Sequence, residues 1–272
     1  MDILVAVFLG IIEGVTEFLP ISSTGHLIIA EHLFKFHDVQ DMFTIVVQLG
    51  AIAAVIWFYR VDLIEKIAGL FRWQKEAIMF WKILVIATIP AGIFGLALDK
   101  NMTGITTPLV VAVALIVGGI VLWFVDRKPV VKTLDNIEKL DFSDISIKRA
   151  LLVGLGQTVA IIPGVSRSGA TIVTGLATGL NRTTATAFSF YLSIPVLVLA
   201  SGLRLVKNGD QLGQLPGGAA ALVVGLLAAF VTALASISWL LRYISRHNFQ
   251  AFAYYRIALG VIILLLLASN IL

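Results

Sequence analysis

The chain has 272 residues, of which 59% are hydrophobic and only 13% charged, with a formal net charge of +4 and no cysteine. An average soluble domain carries about 25% charged residues, so this composition, with a mean hydropathy of +0.99, excludes an ordinary soluble domain and indicates an integral membrane protein. It also excludes disulfides and thiolate metal sites, and the lack of a basic stripe interleaved with aromatics argues against a nucleic-acid partner.

The opening MDILVAVFLGIIEG has an acid where a signal peptide needs Lys or Arg, and Glu13 interrupts its apolar run. It reads as retained structure. The first apolar stretch, Ile3–His32, is broken near its middle. Three segments of spanning length follow, at Met42–Tyr59, Ile78–Leu98 and Thr106–Val125, each close to the ~20 residues a helix needs. A polar stretch, Asp126–Arg149, reads as a solvated connector. A second broken stretch, Arg149–Leu180, precedes spans at Thr184–Leu203, Pro216–Leu240 and Phe252–Ile271. Each broken stretch is too interrupted for one span, and its halves are too short for two, so a re-entrant hairpin fits both. The predicted fold is an all-α integral membrane protein of six transmembrane helices plus two re-entrant hairpins. It forms a single polytopic domain over 1–272. Three spans per half is odd, so halves 1–125 and 149–272, joined by connector 126–148, form an inverted-topology repeat.

Lys and Arg orient this arrangement. The loops Arg60–Ala77, Asp126–Arg149 and Arg242–Gln250 fall on one side and hold Arg60, Lys66, Arg72, Lys75, Arg127, Lys128, Lys132, Lys139, Lys148, Arg149, Arg242 and Arg246, against Lys35, Lys100, Arg204 and Lys207 on the other. By the positive-inside rule the first side is cytoplasmic and both termini lie outside.

The two breaks carry one polar word. GIIEGVTEFLPISSTGHLI (Gly10–Ile28) aligns with GLGQTVAIIPGVSRSGATI (Gly154–Ile172), placing Glu13 opposite Gln157 and Ser22-Ser23-Thr24-Gly25 opposite Ser166-Arg167-Ser168-Gly169. Irregular backbone at membrane depth is tolerated only when buried in protein or lining a cavity, so the function is sought here. Glu13 and Glu17 are four apart and share one helix face with Gly10. Summed on insertion scales, Glu13, Glu17 and Arg167 cost on the order of 8–10 kcal/mol, which needs partners, water or a ligand to offset it. Pro20 and Pro163 each end a helix. Ser22 or Ser23 then caps the next helix, with His26 in its first turn, and Ser166 or Ser168 caps its counterpart. Two helix N-termini and the planar donor fork of Arg167 suit a phosphate or diphosphate. A diphosphate beside two carboxylates calls for a divalent cation held by Glu17 and Glu13. Oxygen-only ligands favour Mg²⁺, Ca²⁺ or Mn²⁺ over zinc. Ser22, Ser23, Thr24 and His26 are the candidates for nucleophile and general acid or base.

These residues resemble the bacterial undecaprenyl-diphosphate phosphatases. The likeness covers the whole chain, from EGVTEFLPISSTGH through QLGA (Gln48–Ala51) and PGVSRSGAT to AYYR (Ala253–Arg256). It implies metal-dependent dephosphorylation of undecaprenyl diphosphate to the monophosphate carrier of peptidoglycan synthesis, bacitracin resistance, and a transporter-like fold in the bacterial inner membrane with its site open to the outer leaflet. It further implies that Glu13 and Glu17 form the acidic motif, and Ser22, Ser23, Thr24 and His26 the hydroxyl–histidine motif. Arg167 would clamp phosphate. Gly25, Gln48, Ser166, Ser168, Gly169, Thr171 and Arg256 would contribute to substrate binding. The phosphatidic-acid type of lipid phosphatase needs a further His a few residues after its Arg, and none follows Arg167 before His247. The competing reading is a lipid or ion transporter or flippase using the same cavity, and a purely structural scaffold leaves the intramembrane charges unexplained. The expected partners are a polyprenyl diphosphate and membrane lipids; a homodimer stays open.

Overall fold

The structure is a computed structural model that describes residues 3–36, 38, 42–98, 105–127, 142–214, 217–269 and 271. Within them the chain forms helices α1 (Ile3–Thr16), α2 (Ser23–Leu33), α3 (Met42–Phe58), α4 (Arg60–Phe71), α5 (Lys75–Leu98), α6 (Pro108–Val125), α7 (Ile147–Gln157), α8 (Arg167–Ala177), α9 (Arg182–Asn208), α10 (Gly218–Ile244) and α11 (Gln250–Ala268). Among the described residues, five helices are long and apolar enough to cross a membrane: α5, α6, α9, α10 and α11. A sixth span results if α3 and α4, which meet at a 71° bend, are counted together. The protein is therefore a multi-pass membrane protein with five or six spanning helices.

Two expectations are corrected. Residues 60–77 are not a loop, because Arg60–Phe71 is helical. Its charges sit at helical spacing, with Lys66 Nζ 3.1 Å from Asp62 Oδ1 one turn away. Val61, Ile64 and Phe71 are exposed at 62%, 65% and 81%, so this helix is amphipathic rather than wholly polar. The stretch 126–149 is not simply a solvated linker. Asp126, Phe142 and Ile145 are buried, and α7 begins at Ile147 behind a Ser146 cap; residues 128–141 of that linker lie outside the described residues. Helix ends also differ from the expected spans by a few residues, most at α9, which starts at Arg182 and runs on to Asn208.

The centre of the bundle is α9. Over half of its apolar window, 56%, is buried, against 33% in the other four spanning helices, whose outer faces carry the exposed aliphatic residues that a bilayer would cover. Helix pairing has an exchange pattern: α1 packs on α10, while α7 packs on α5; α6 pairs with α11, and α3 with α9. Glycines permit the close crossings. A Cβ at Gly10 would collide with the Gly225 carbonyl oxygen of α10, and one at Gly154 with the Ala87 carbonyl oxygen of α5. In both broken stretches a short helix ends near a proline and a second short helix restarts beyond the break.

Candidate active site

The breaks follow from local sequence. In the first hairpin α1 ends at Thr16, Pro20 forbids helix continuation, and α2 restarts at Ser23. In the second, α7 passes through a 3₁₀ turn at Thr158–Ile161 before Pro163, and α8 restarts at Arg167. The N-cap residues share one unusual backbone. Ser22 has φ 71° and ψ 103°, and Ser166 has φ 70° and ψ 114°. For a non-glycine residue such geometry costs on the order of 1–3 kcal/mol and is found where surrounding structure enforces it, often at functional sites. The caps themselves differ. Ser166 Oγ accepts from the Gly169 amide at 3.1 Å, whereas Ser22 makes no side-chain cap. The first turn of α2 therefore keeps donors that an anion could take.

The two breaks meet around one ion pair. Arg167 Nη2 donates to Glu17 Oε1 at 3.1 Å, with side-chain exposures of 10% and 6%. The second oxygen of Glu17 accepts from Ser23 Oγ at 2.7 Å. Arg167 Nη1 donates to the Ser189 carbonyl at 3.0 Å, Thr171 and Ser189 share a hydroxyl bond of 2.6 Å, and Arg167 Nε has no partner among the described residues. Ser168 Oγ donates across to the Leu19 carbonyl at 2.9 Å and lies 3.1 Å from Ser166 Oγ. Glu13, one turn before Glu17, is fully buried, and neither of its oxygens has a hydrogen-bond partner among the described residues. Gln157, its aligned counterpart, is likewise buried with both amide atoms unpartnered. Two orphaned polar side chains thus stand at matching positions of the two halves, where buried polar groups normally have partners.

His26 lies one turn beyond Ser23. Its Nδ1 is 2.8 Å from the Ser22 carbonyl and its Nε2 is 2.7 Å from the Tyr255 hydroxyl, with the two rings stacked at 5.6 Å. A carbonyl only accepts, so a neutral His26 carries its proton on Nδ1 and accepts from Tyr255 through Nε2. Thr24 and Gly25 open α2 beside Ser23, with a Cβ at Gly25 meeting Leu115 at 3.0 Å. The structure thus gathers Glu13, Glu17, Ser22, Ser23, Thr24, His26, Arg167, Ser166, Ser168, Gly169 and Thr171 at the two breaks. Gln48 is bonded instead to Ser201 of α9 at 3.3 Å. Arg256 is 1% exposed, and its donors go to backbone carbonyls.

Sequence reasoning passed over Tyr255 and Ser189. Tyr255 stood inside the AYYR motif, but its role depends on a contact 229 residues away. Ser189 is a fully buried hydroxyl residue within an otherwise aromatic run, FSFY, which is itself a usable signal. Among the described residues no cluster of three or more His, Cys, Asp or Glu could hold a metal. Glu13 and Glu17 alone would supply protein oxygens, and that donor set fits a cation completed by phosphate oxygens and water.

Known proteins resemble this chain along nearly its whole length. Residues 6–262 match the family described as "Bacitracin resistance protein BacA". An "Undecaprenyl-diphosphatase" of Acinetobacter baumannii (strain ATCC 17978) is 46% identical over 266 residues, covering 97% of this chain and 95% of the relative. A protein of the same name from Nitrosospira multiformis is 45% identical over 265 residues, covering 97% and 94%. "Undecaprenyl-diphosphatase 2" of Rhodospirillum rubrum is 46% identical over 263 residues, covering 95% and 93%. The match takes in both hairpins and every residue that meets at their breaks, so this chain belongs to the BacA bacitracin-resistance family.

Proposed function

We propose that this protein hydrolyses undecaprenyl diphosphate to undecaprenyl phosphate and inorganic phosphate, returning the lipid carrier to cell-wall synthesis. The observation that carries the reading is the Ser23–Glu17–Arg167 chain: a hydroxyl donating to a carboxylate that is itself paired with a buried guanidinium. Ser23 Oγ attacks the terminal phosphorus as its proton passes to Glu17 Oε2. The bond to the bridging oxygen breaks, and undecaprenyl phosphate leaves with the electron pair. Water then attacks the phosphoserine phosphorus; as the Ser23 Oγ–P bond breaks, Ser23 takes back the proton held by Glu17, the second proton of the water passes to Glu17 and on to solvent, and inorganic phosphate leaves. Arg167 turns from Glu17 toward the equatorial oxygens as substrate arrives, and the uncapped amides of α2 add donors there. The hydrogen bonds of His26 favour Ser23 over the imidazole as nucleophile, since the basic Nε2 already accepts from Tyr255.

Glu13 and Glu17 would hold a divalent cation, Mg²⁺ or Ca²⁺ by donor chemistry, which neutralises diphosphate charge and polarises the phosphoryl group when bound. The unpartnered oxygens of buried Glu13 support that role, because a solitary carboxylate at this depth needs a counter-charge.

The molecule reads best as an inverted repeat of halves 1–125 and 149–272 with two re-entrant hairpins. The matched N-cap geometry at Ser22 and Ser166 and the exchange of packing partners between α1 and α7 support this. The excess of Lys and Arg at one end supports a cytoplasmic location for that end, with the site open to the outer leaflet. Phosphate release from undecaprenyl diphosphate by the purified protein, with and without chelator, tests the proposal. Activity that survives thorough chelation removes the cation. No hydrolysis, with lipid or ion movement in proteoliposomes, replaces the phosphatase by a transporter.

A further inference from the structure

Arg256, in α11, is a guanidinium at 1% exposure whose hydrogen bonds all go to backbone. Its donors reach carbonyls of three separate segments. Nη1 donates to Pro20 at 3.2 Å. Nη2 donates to Val165 at 2.8 Å, with Gly164 and Ala114 each at 3.4 Å, and Nε to Leu115 at 3.4 Å. Pro20 lies in the break of the first hairpin, Gly164 and Val165 in that of the second, and Ala114 and Leu115 in α6. Where a helix is interrupted, carbonyls lose their i+4 amide and need another donor. One planar fork supplies donors to both interruptions at once, and because its geometry is rigid it sets the distance between them.

We propose that Arg256 is a positioning residue that clasps the two hairpin breaks in register and touches no substrate; this rests on the phosphatase reading for its effect on turnover. Pro20 sits between Glu17 and Ser23, and Val165 two residues before Arg167. The clasp therefore fixes backbone on both sides of the Glu17–Arg167 pair, whose members come from opposite halves. When substrate separates that ion pair, one side-chain tie between the two breaks is lost. Arg256 remains, together with the bond from Ser168 to Leu19. Space for the fork is built in. A Cβ at Gly118 would occupy the place of Nη2, and one at Gly169 would lie 2.7 Å from Nη1. Gly169 therefore has a reason to be glycine independent of any ligand. Lysine could not reproduce the clasp, since a single ammonium cannot reach five carbonyls spread over three segments.

The experiment compares wild-type protein with Arg256→Lys, Arg256→Ala, Gly118→Ala and the control Gly92→Ala, whose Cβ meets nothing within 4 Å. Steady-state hydrolysis of undecaprenyl diphosphate and amide hydrogen exchange by mass spectrometry are both read. The Arg256 variants should lose about 100-fold in kcat with KM nearly unchanged, the signature of misplaced catalytic groups. Exchange should rise about tenfold in segments 17–23 and 164–168 while α10 stays protected. Gly118→Ala should show the same pattern in weaker form, and Gly92→Ala none of it. A raised KM with kcat preserved would make Arg256 a substrate contact, and a uniform rise in exchange would make it general scaffolding. If Arg256→Ala does not fold, Gly118→Ala decides: wild-type kcat and exchange in that folded variant overturn the clasp. Should the wild-type protein hydrolyse nothing, the phosphatase reading fails, and the exchange pattern alone still upholds or overturns the clasp.

Discussion

Glu17 divides its two oxygens between Arg167 and Ser23, so one carboxylate both neutralises a buried cation and accepts the proton of a hydroxyl. Removing one member of such a pair leaves an uncompensated charge and costs about 3–5 kcal/mol, whereas replacing both by apolar groups is often neutral. Glu17→Gln should therefore abolish hydrolysis and lower the thermal midpoint. The double variant Glu17→Gln with Arg167→Met should recover most of the midpoint and none of the activity. Recovery of activity together with stability would show that the pair is structural. Arg167→Lys keeps the charge but loses the fork, and it should cut turnover about 10²-fold, as loss of one aligned transition-state donor does. Near-normal turnover would mean that the guanidinium geometry is idle. Ser23→Ala should prevent any acid-stable phosphoprotein from forming with labelled substrate, while His26→Ala should slow turnover, by about 10²-fold or more, and still form it. A labelled His26 adduct would reverse the two roles. These side chains were legible in the sequence because charges and hydroxyls stand out against an apolar chain. The pairing of each was not, since Arg167 finds Glu17 across 150 residues and His26 finds Tyr255 across 229.

At the level of elements, the breaks were legible from proline and serine, but what holds the broken helices in place depended on glycine. Gly10 and Gly154 occupy equivalent positions in the two hairpins, and each abuts a carbonyl oxygen of a partner helix that side-chain motion cannot move aside. Gly10→Ala and Gly154→Ala should each destabilise the fold by about 1–3 kcal/mol through overpacking. Gly92→Ala and Gly95→Ala, with open space at Cβ, should be neutral or slightly stabilising from helix propensity alone. Thermal unfolding in detergent would separate the two classes, and equal midpoints for all four would refute backbone contact as the constraint. Helix α4 was missed for the opposite reason. It is too short and too charged to register as a span, and its amphipathic pattern reads as a loop when only membrane-length runs are sought. The structure shows what secures it: Asp62 accepts from the Tyr191 hydroxyl of the central helix α9 and pairs with Lys66, whose ammonium lies 4.7 Å from the Phe80 ring centre.

At the level of the whole molecule, one end is knitted together by polar contacts. Asp126, at the end of α6, pairs with Arg182 at the start of α9 at 2.7 Å and accepts from the Phe249 amide before α11 at 2.6 Å. The ends that meet there belong to the same side as Arg60, Arg72, Lys75, Arg127, Lys148, Arg149, Arg242 and Arg246, so the basic excess and the tied ends coincide. Lys35, Arg204 and Lys207 lie near the opposite ends of their helices, and Lys100, Lys128, Lys132 and Lys139 fall outside the described residues. The positive-inside rule predicts a cytoplasmic location for the basic end, because translocating Lys and Arg is what insertion avoids. The chain has no cysteine, so a single introduced thiol reports one position without background. Ser143→Cys, on the basic side, should stay unlabelled by a membrane-impermeant thiol reagent in intact cells and become labelled once the membrane is opened. Ile271→Cys, 52% exposed beyond α11, should label in intact cells. The inverse pattern would turn the molecule over and place the Glu17–Arg167 site on the cytoplasmic face. Hydrolysis of a lipid diphosphate presented at the outer leaflet would then have to follow its passage across the membrane, and the same labelling result would make the transporter reading the better account of the two broken helices.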